Sequence, residues 1–241
     1  MKVLVVSDLH YSLKQFDWLV ANAPPYDLVV IAGDLMELGS YVDPEIQAAV
    51  VERYFRKICE HSPMVVCSGN HDLIEEGEGE RSAEWLSDLG IDGLVVDCGS
   101  YEVDGLRILS LPWWEGDRQR RIAGDWLAAQ YQRADPGPVF WVNHAPAKGT
   151  KTGWNGKRDL GDPWISERIA EYSPALVLTG HVHNAPYYPE GSWIDRIGET
   201  VVTNGGRQTG GIPATIEVEV EGGEMIWCGM EGCQRGSFRI A

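Results

Sequence analysis

Five stretches of this chain end an apolar run in side chains that can bind metals or move protons. They are Val5-Val6-Ser7-Asp8-Leu9-His10, Val30-Ile31-Ala32-Gly33-Asp34, Val65-Val66-Cys67-Ser68-Gly69-Asn70-His71-Asp72, Trp141-Val142-Asn143-His144 and Leu178-Thr179-Gly180-His181-Val182-His183. Five of the six histidines fall in them; His61, in Glu60-His61-Ser62-Pro63, reads as an ordinary helix-end group. Neutral imidazoles and carboxylates are natural ligands of zinc, iron and manganese, and affinity order alone does not choose among those metals. Asp8 and His10 lie two apart, so on an extended segment both point to one face, as do His181 and His183. Gly33 and Gly69 let the backbone turn sharply beside Asp34 and Asn70 and come close to an ion. The metal candidates are therefore Asp8, His10, Asp34, Asn70, His144, His181 and His183. Seven are too many for one tetrahedral ion and suit two ions ~3.5–4 Å apart with a bridging carboxylate. Two carboxylates leave such a pair with net positive charge, so the site wants an anion. Phosphate esters are the expected substrates, with a coordinated water of pKa lowered to ~7 as nucleophile.

The intervening elements must bring these ends together. Residues 2–7, 27–32 and 64–67 are near-continuous apolar runs, as in strands buried on both faces. Between them, Ser12 can cap a helix to about Ala21 that Pro24-Pro25 ends, and Asp43-Pro44 opens another. The second helix is expected to present Ile46, Val50, Tyr54 and Ile58 as its apolar face. Strand–helix–strand alternation of this kind predicts a parallel sheet of βαβ units. The acidic run at 75–80 reads as a solvated loop, with a short helix near 82–89 after it. Short strands follow at 93–98, 100–104 and 106–111, with Asp104-Gly105 as a hairpin signal. Helices are expected near 117–133 and 163–172, and strands at 139–142 and 175–179. Residues 147–162, rich in glycine and lysine, form a long loop of the kind that is often functional. The remainder is β-rich: 193–197, 200–203, 214–220 and 224–228. Neither a repeat nor a linker breaks the pattern, so residues 1–241 are expected to form a single α/β domain.

The ordered set Asp8-Leu9-His10, Gly33-Asp34, Gly69-Asn70-His71-Asp72, Asn143-His144-Ala145-Pro146 and Gly180-His181-Val182-His183 resembles the five motifs of the calcineurin-like metallophosphoesterase superfamily. It spans residues 8 to 183; one such motif is a weak signal, whereas all five in order are specific. The resemblance implies a four-layer αββα sandwich of two mixed sheets flanked by helices, with the site at the strands' carboxyl ends. It implies that Asp8, His10 and His183 hold one metal, that Asn70, His144 and His181 hold the other, and that Asp34 bridges. His71 would then be no ligand but would face the phosphate, stabilising it or protonating the leaving oxygen. Glu37, three residues after Asp34, stands where the protein-phosphatase branch has an acid that orients the catalytic histidine. Asp72 is a rival for that role, or a cap on the turn after His71. Thr203-Asn204-Gly205-Gly206 resembles a turn found after the last motif.

Departures narrow the substrate. Protein phosphatases resembling this chain carry arginines after the bridging aspartate and before the Gly-Asn-His; here those places hold Met36-Glu37-Leu38 and Ser68. A phosphoprotein substrate is disfavoured, and a phosphodiester or small phosphorylated metabolite is expected. Lys148, Lys151, Trp154 and Arg158, close behind His144, form a local basic loop that is expected to close over substrate, with Trp154 able to stack on a base. Trp113-Trp114 is placed to wall the site, although core packing is the commoner fate of such rings. Arg118, Arg120 and Arg121 read as a solvated helix face.

Composition sets outer limits. The formal charge of −16 over 241 residues repels polyanions, so bulk nucleic-acid binding is disfavoured. An apolar fraction of 44% supports a sizeable core, and no run approaches the ~18 residues of a membrane span. The first residues read as a strand rather than a signal peptide. Five scattered cysteines without a C-x-x-C pair favour reduced thiols and a cytoplasmic protein. Together these readings predict a dinuclear metal-dependent phosphoesterase using two ions of manganese, iron or zinc. The alternatives are a non-catalytic scaffold of the same fold, which should have lost ligands, and a nuclease or repair-type phosphodiesterase, which the acidity opposes.

Overall fold

A computed structural model describes residues 1–76, 80–133 and 137–240 of the chain. In chain order its elements are β1 (Lys2–Val6), α1 (Leu13–Asn22), β2 (Leu28–Ala32), α2 (Pro44–Cys59), β3 (Met64–Cys67), β4 (Ile74–Glu76), β5 (Glu80–Ser82), α3 (Glu84–Ser87) and β6 (Leu94–Val95). They continue with β7 (Ser100–Val103), β8 (Leu106–Ser110), α4 (Gly116–Tyr131), β9 (Val139–Val142), α5 (Pro163–Tyr172) and β10 (Leu176–Thr179). Last come β11 (Ile194–Ile197), β12 (Thr200–Asn204), β13 (Thr215–Glu219), β14 (Glu224–Gly229) and β15 (Gly232–Ser237).

Two mixed sheets stack face to face. The first runs β15-β14-β13-β1-β2-β3-β6, parallel from β1 to β6 and antiparallel from β1 to β15. The second runs β11-β12-β10-β9-β8-β7, parallel at its centre and antiparallel at both edges. The period-2 alternation of a strand explains the layering. In β1, Val3 and Val5 face the second sheet and pack with Ile108, Phe140, Val142 and Leu178. Leu4 and Val6 face the other way, against Phe16 and Leu19 of α1 and Val51 and Phe55 of α2. On the second sheet, Leu109, Trp141, Val177 and Val202 face Leu127 of α4 and Ile165 and Ile169 of α5. The central strands are apolar on both faces because both are covered, which is the four-layer αββα arrangement expected.

Several local expectations need correction. The inward face of α2 is Gln47, Ala48, Val51, Phe55 and Ile58, whereas Ile46 is exposed. The stripe is turned because Gln47 bonds both the N–H and the C=O of Glu37 and so anchors the loop after β2. Ser12 and Asp43 precede their helices but make no side-chain cap bond, whereas Asp162 caps α5 by accepting from the N–H groups of Trp164 and Ile165. Part of the 75–80 run pairs as the β4–β5 hairpin instead of looping; its residues 77–79 lie outside the described residues. Cys228 and Cys233 form a disulfide, contrary to the expectation of five reduced thiols. β15, which the sequence pattern missed, places Cys233 directly opposite Cys228 on β14. That bond removes half the ground on which a cytoplasmic location was expected. Among the described residues no helix is long and apolar enough to cross a membrane.

Candidate active site

Carboxyl ends from both sheets meet at one place. β1 delivers Asp8 and His10, β2 Asp34, β3 Asn70 and His71, β9 His144, and β10 His181 and His183. The means differ from the extended-strand reasoning, because Asp8, His10, Asp34 and His181 all have positive φ (55°, 45°, 55° and 69°). Such left-handed backbone costs an ordinary residue of order 1–3 kcal/mol and persists where surroundings enforce it. Here neighbouring loops do so: the N–H groups of Asp8, His10 and Tyr11 donate to the carbonyls of Gly33, Asp34 and Leu35. Gly69 is required by contact, since a Cβ there would overlap the carboxylate and amide of Asp34. At Gly33, φ is +81° and a Cβ would lie 2.5 Å from His144 Nδ1.

Asp34 is the centre of the cluster. Its Oδ2 lies 3.3 Å from His10 Nε2 and 3.2 Å from His144 Nε2, while its Oδ1 accepts the His71 backbone N–H. Asp8 Oδ1 lies 3.3 Å from His183 Nε2 and accepts the His181 N–H. His10 Nε2 and His183 Nε2 are 3.0 Å apart, and one donor atom from each of Asp8, His10, Asp34 and His183 falls within 4.8 Å of the others. These four residues form a candidate metal-binding site. Beside them, His181 Nδ1 sits 2.9 Å from Asn70 Oδ1, and the His144 and His181 rings meet edge to face at 5.1 Å. All seven residues named from the sequence are therefore brought together.

The donor set fits metal. His144 Nδ1 donates to the Ala32 carbonyl at 2.7 Å, leaving a buried Nε2 that faces Asp34 Oδ2 at 3.2 Å. A backbone carbonyl that fixes the tautomer in this way is the usual support of an imidazole ligand. Burial holds His10 and His181 down to about 4, so both are neutral at physiological pH. Burial would also lower His144, but the charges of Asp34 and Asp8 outweigh it and raise it to about 9. Asp34 and Asp8 stay below the usual carboxylate range despite burial, which opposes ionisation, because of the surrounding imidazoles. Below pH 9 the metal-free protein thus carries a proton on His144 that a ligand imidazole must give up. Metal uptake at pH 7 is expected to release about one proton, with affinity rising as pH climbs towards 9. Calorimetry in buffers of different ionisation enthalpy measures this directly; zero release would show that His144 stays protonated and is no ligand.

The other candidates separate clearly. Glu37 faces two imidazoles, with Oε2 3.4 Å from His10 Nδ1 and Oε1 3.5 Å from His71 Nδ1. The Leu38 N–H also lies 3.3 Å from His71 Nδ1, so that nitrogen is the one turned towards the loop after β2, and Nε2 is the opposite edge of the ring. Asp72 does not touch the His71 ring. Buried, it accepts the N–H groups of Gly69, Leu35 and Met36, tying the loop after β3 to the loop after β2. Trp113 does wall the site, with ring contacts of 5.6 Å to His144 and 5.2 Å to His181, and Trp114 stacks behind it. The 147–162 loop is held by Asp159, which binds the N–H groups of Gly149 and Gly161. Lys148 is spent on Asp159, Lys151 and Arg158 are exposed, and Trp154 is half-buried. One group went unnoticed in the sequence: Arg207, whose guanidinium lies 3.6 Å from Glu37 Oε2. Its signal was the turn just before it, Asn204-Gly205-Gly206.

Comparisons with known proteins bear on the fold and the family. No curated protein matches the chain in sequence. Solved structures do match in fold. TT1561 of Thermus thermophilus is 16% identical, with 99% of each chain covered and a TM-score of 0.63. A dimetal phosphatase from Danio rerio is 10% identical, with 99% of each covered and a TM-score of 0.56. Purple acid phosphatase PPD1 from yellow lupin (Lupinus luteus) seeds is 14% identical, with a TM-score of 0.59 over all of this chain and 52% of its own. The family model described as calcineurin-like phosphoesterase matches residues 1–185, which include every one of the five motifs. With its motifs, its two stacked sheets and the matched span, the chain belongs to the calcineurin-like phosphoesterase family.

Proposed function

We propose that residues 1–241 act as one catalytic unit, a dinuclear metal-dependent hydrolase of a phosphodiester or a small phosphorylated metabolite. The observation that carries this is Asp34: one carboxylate oxygen within 3.3 Å of imidazoles from two different loops, as a bridging ligand requires. Asp8, His10 and His183 would hold one ion, Asn70, His144 and His181 the other, with manganese, iron and zinc all compatible with the donors. Bound there, such ions neutralise charge growing on the phosphoryl oxygens and lower the pKa of a coordinated water. His71 would act as an imidazolium, donating from Nε2–H to the leaving oxygen and becoming the neutral imidazole, while Glu37 faces its Nδ1–H side and holds the ring from behind. Trp113 shields one side of the ligands from bulk water. Hydrolysis of bis-p-nitrophenyl phosphate and p-nitrophenyl phosphate with manganese, zinc, nickel and iron tests the reading. Activity on neither ester with any metal would overturn it, and the ratio of the two rates assigns the ester class.

The basic loop completes the proposal. Its 3-10 turn (Lys151–Gly153) is pinned to the ligand-bearing region by Asn204, whose amide donates to the carbonyls of Thr152 and Val182. Lys151, Lys157 and Arg158 are exposed cations of the loop, of which Lys151 and Arg158 flank Trp154 and are proposed to meet the substrate, with Lys148 in a lesser role. Lys151→Ala with Arg158→Ala is expected to raise KM several-fold and leave kcat within twofold; an unchanged KM removes the loop from the substrate. A cytoplasmic setting rests on the three unpaired cysteines, Cys59, Cys67 and Cys98. Thiol trapping in fresh cell extract decides it, since an oxidised Cys228–Cys233 pair there would contradict that setting.

A further inference from the structure

Arg207 lies after β12, on the segment that runs past His183. Both ends of that segment are fixed. On one side, buried Asn204 donates twice to backbone carbonyls and accepts the Gly206 N–H. Gly206 has φ +68°, and a Cβ there would lie 2.7 Å from Pro186 and 2.9 Å from the His183 carbonyl. The Arg207 N–H then donates to that same carbonyl at 3.0 Å. On the other side, the carbonyl of Gln208 accepts from the side chain of buried Gln15 at 2.9 Å. So much fixed backbone around one arginine sets where its side chain emerges, which is beside Glu37 at the edge of the cluster.

The guanidinium itself is not used up. Its contact with Glu37 is a single one at 3.6 Å, longer than a hydrogen bond, and Glu37 also faces His10 and His71. A purely structural arginine–carboxylate pair would close to the fork geometry of about 2.7–2.9 Å. The side chain is one-third exposed. Among the described residues it is the Arg or Lys that makes an ion pair at the cluster. A planar fork of N–H groups matches carboxylate and phosphoryl oxygens bidentately, and beside this site the phosphoryl group is the anion to be bound.

We propose that Arg207 binds the phosphoryl group of the substrate, filling the role of the arginines absent at residues 36–38 and 68. The proposal rests on the phosphoesterase reading above and adds a specific residue to it. Inorganic phosphate is the probe, titrated by calorimetry into metal-loaded wild type, Arg207→Ala, Arg207→Lys and the double variant Arg207→Ala with Glu37→Gln. Arg207→Ala is expected to weaken phosphate at least tenfold, about 1.4 kcal/mol, with metal content and Tm unchanged. Arg207→Lys should recover only part of that, because a point charge cannot reproduce the fork, and it serves as the folded variant should the alanine chain misfold. The double variant should stay weak. Phosphate affinity within twofold of wild type in Arg207→Ala, or its return in the double variant, would show that Arg207 merely offsets the charge of Glu37. Wild type that neither binds phosphate nor cleaves any ester would instead overturn the phosphoesterase reading itself.

Discussion

Replacing His71 with asparagine is expected to lower kcat by about 10²- to 10⁴-fold while the metal content stays that of wild type. The expectation follows from how the residue is held. Its backbone N–H is bonded to Asp34 Oδ1, and that bond survives a change of side chain. Its ring nitrogen Nδ1 faces Leu38 N–H and Glu37, so the edge left for the substrate is Nε2. A general acid also predicts which substrates suffer. An alkyl phosphate, whose leaving oxygen needs a proton, should lose far more than a nitrophenyl ester, whose leaving oxygen needs little. Equal losses on both esters would argue that His71 only orders the loop. Loss of metal, read by atomic absorption on the purified variant, would show that it is a ligand after all.

What the sequence made legible was whatever depends on local order. Strand ends are marked by a change from apolar to polar residues at a fixed place, so seven candidate ligands and His71 could be named from five short stretches. Arg207 escaped because its one local signal, the turn Asn204-Gly205-Gly206 before it, says nothing of what the side chain meets; that is Glu37, far earlier in the chain, a separation that no periodicity encodes. Glu37 and Asp72 were both candidates to orient His71, the first for its place three residues after Asp34 and the second for its place next to His71. Only the path of the backbone decides, sending the Asp72 carboxylate into three buried N–H groups and leaving Glu37 at the ring. The α2 face was misread for a related reason: buried Gln47 is polar, and its value lies in two bonds to a distant loop rather than in hydrophobicity. The disulfide needed β15, whose Gly232-Cys233-Gln234-Arg235-Gly236-Ser237 carries almost none of the apolar signal by which strands are found.

Asp34→Asn should abolish turnover and reduce bound metal from two ions to at most one. Asparagine is nearly the same size and still accepts the His71 N–H through Oδ1, so the loops keep their register. The second atom is what changes: Oδ2, 3.3 and 3.2 Å from His10 Nε2 and His144 Nε2, becomes an amide that cannot bridge. Stability gives an independent measurement. A ligand that binds only the native state adds RT ln(1 + [L]/Kd), about 4 kcal/mol at free metal a thousand times Kd. The wild type should therefore melt well above Asp34→Asn when metal is saturating, and the gap should narrow once a chelator strips both. A variant that keeps two ions and its melting temperature would place the bridge elsewhere; Asp8, whose Oδ1 lies 3.9 Å from His144 Nε2, would then be the carboxylate to test.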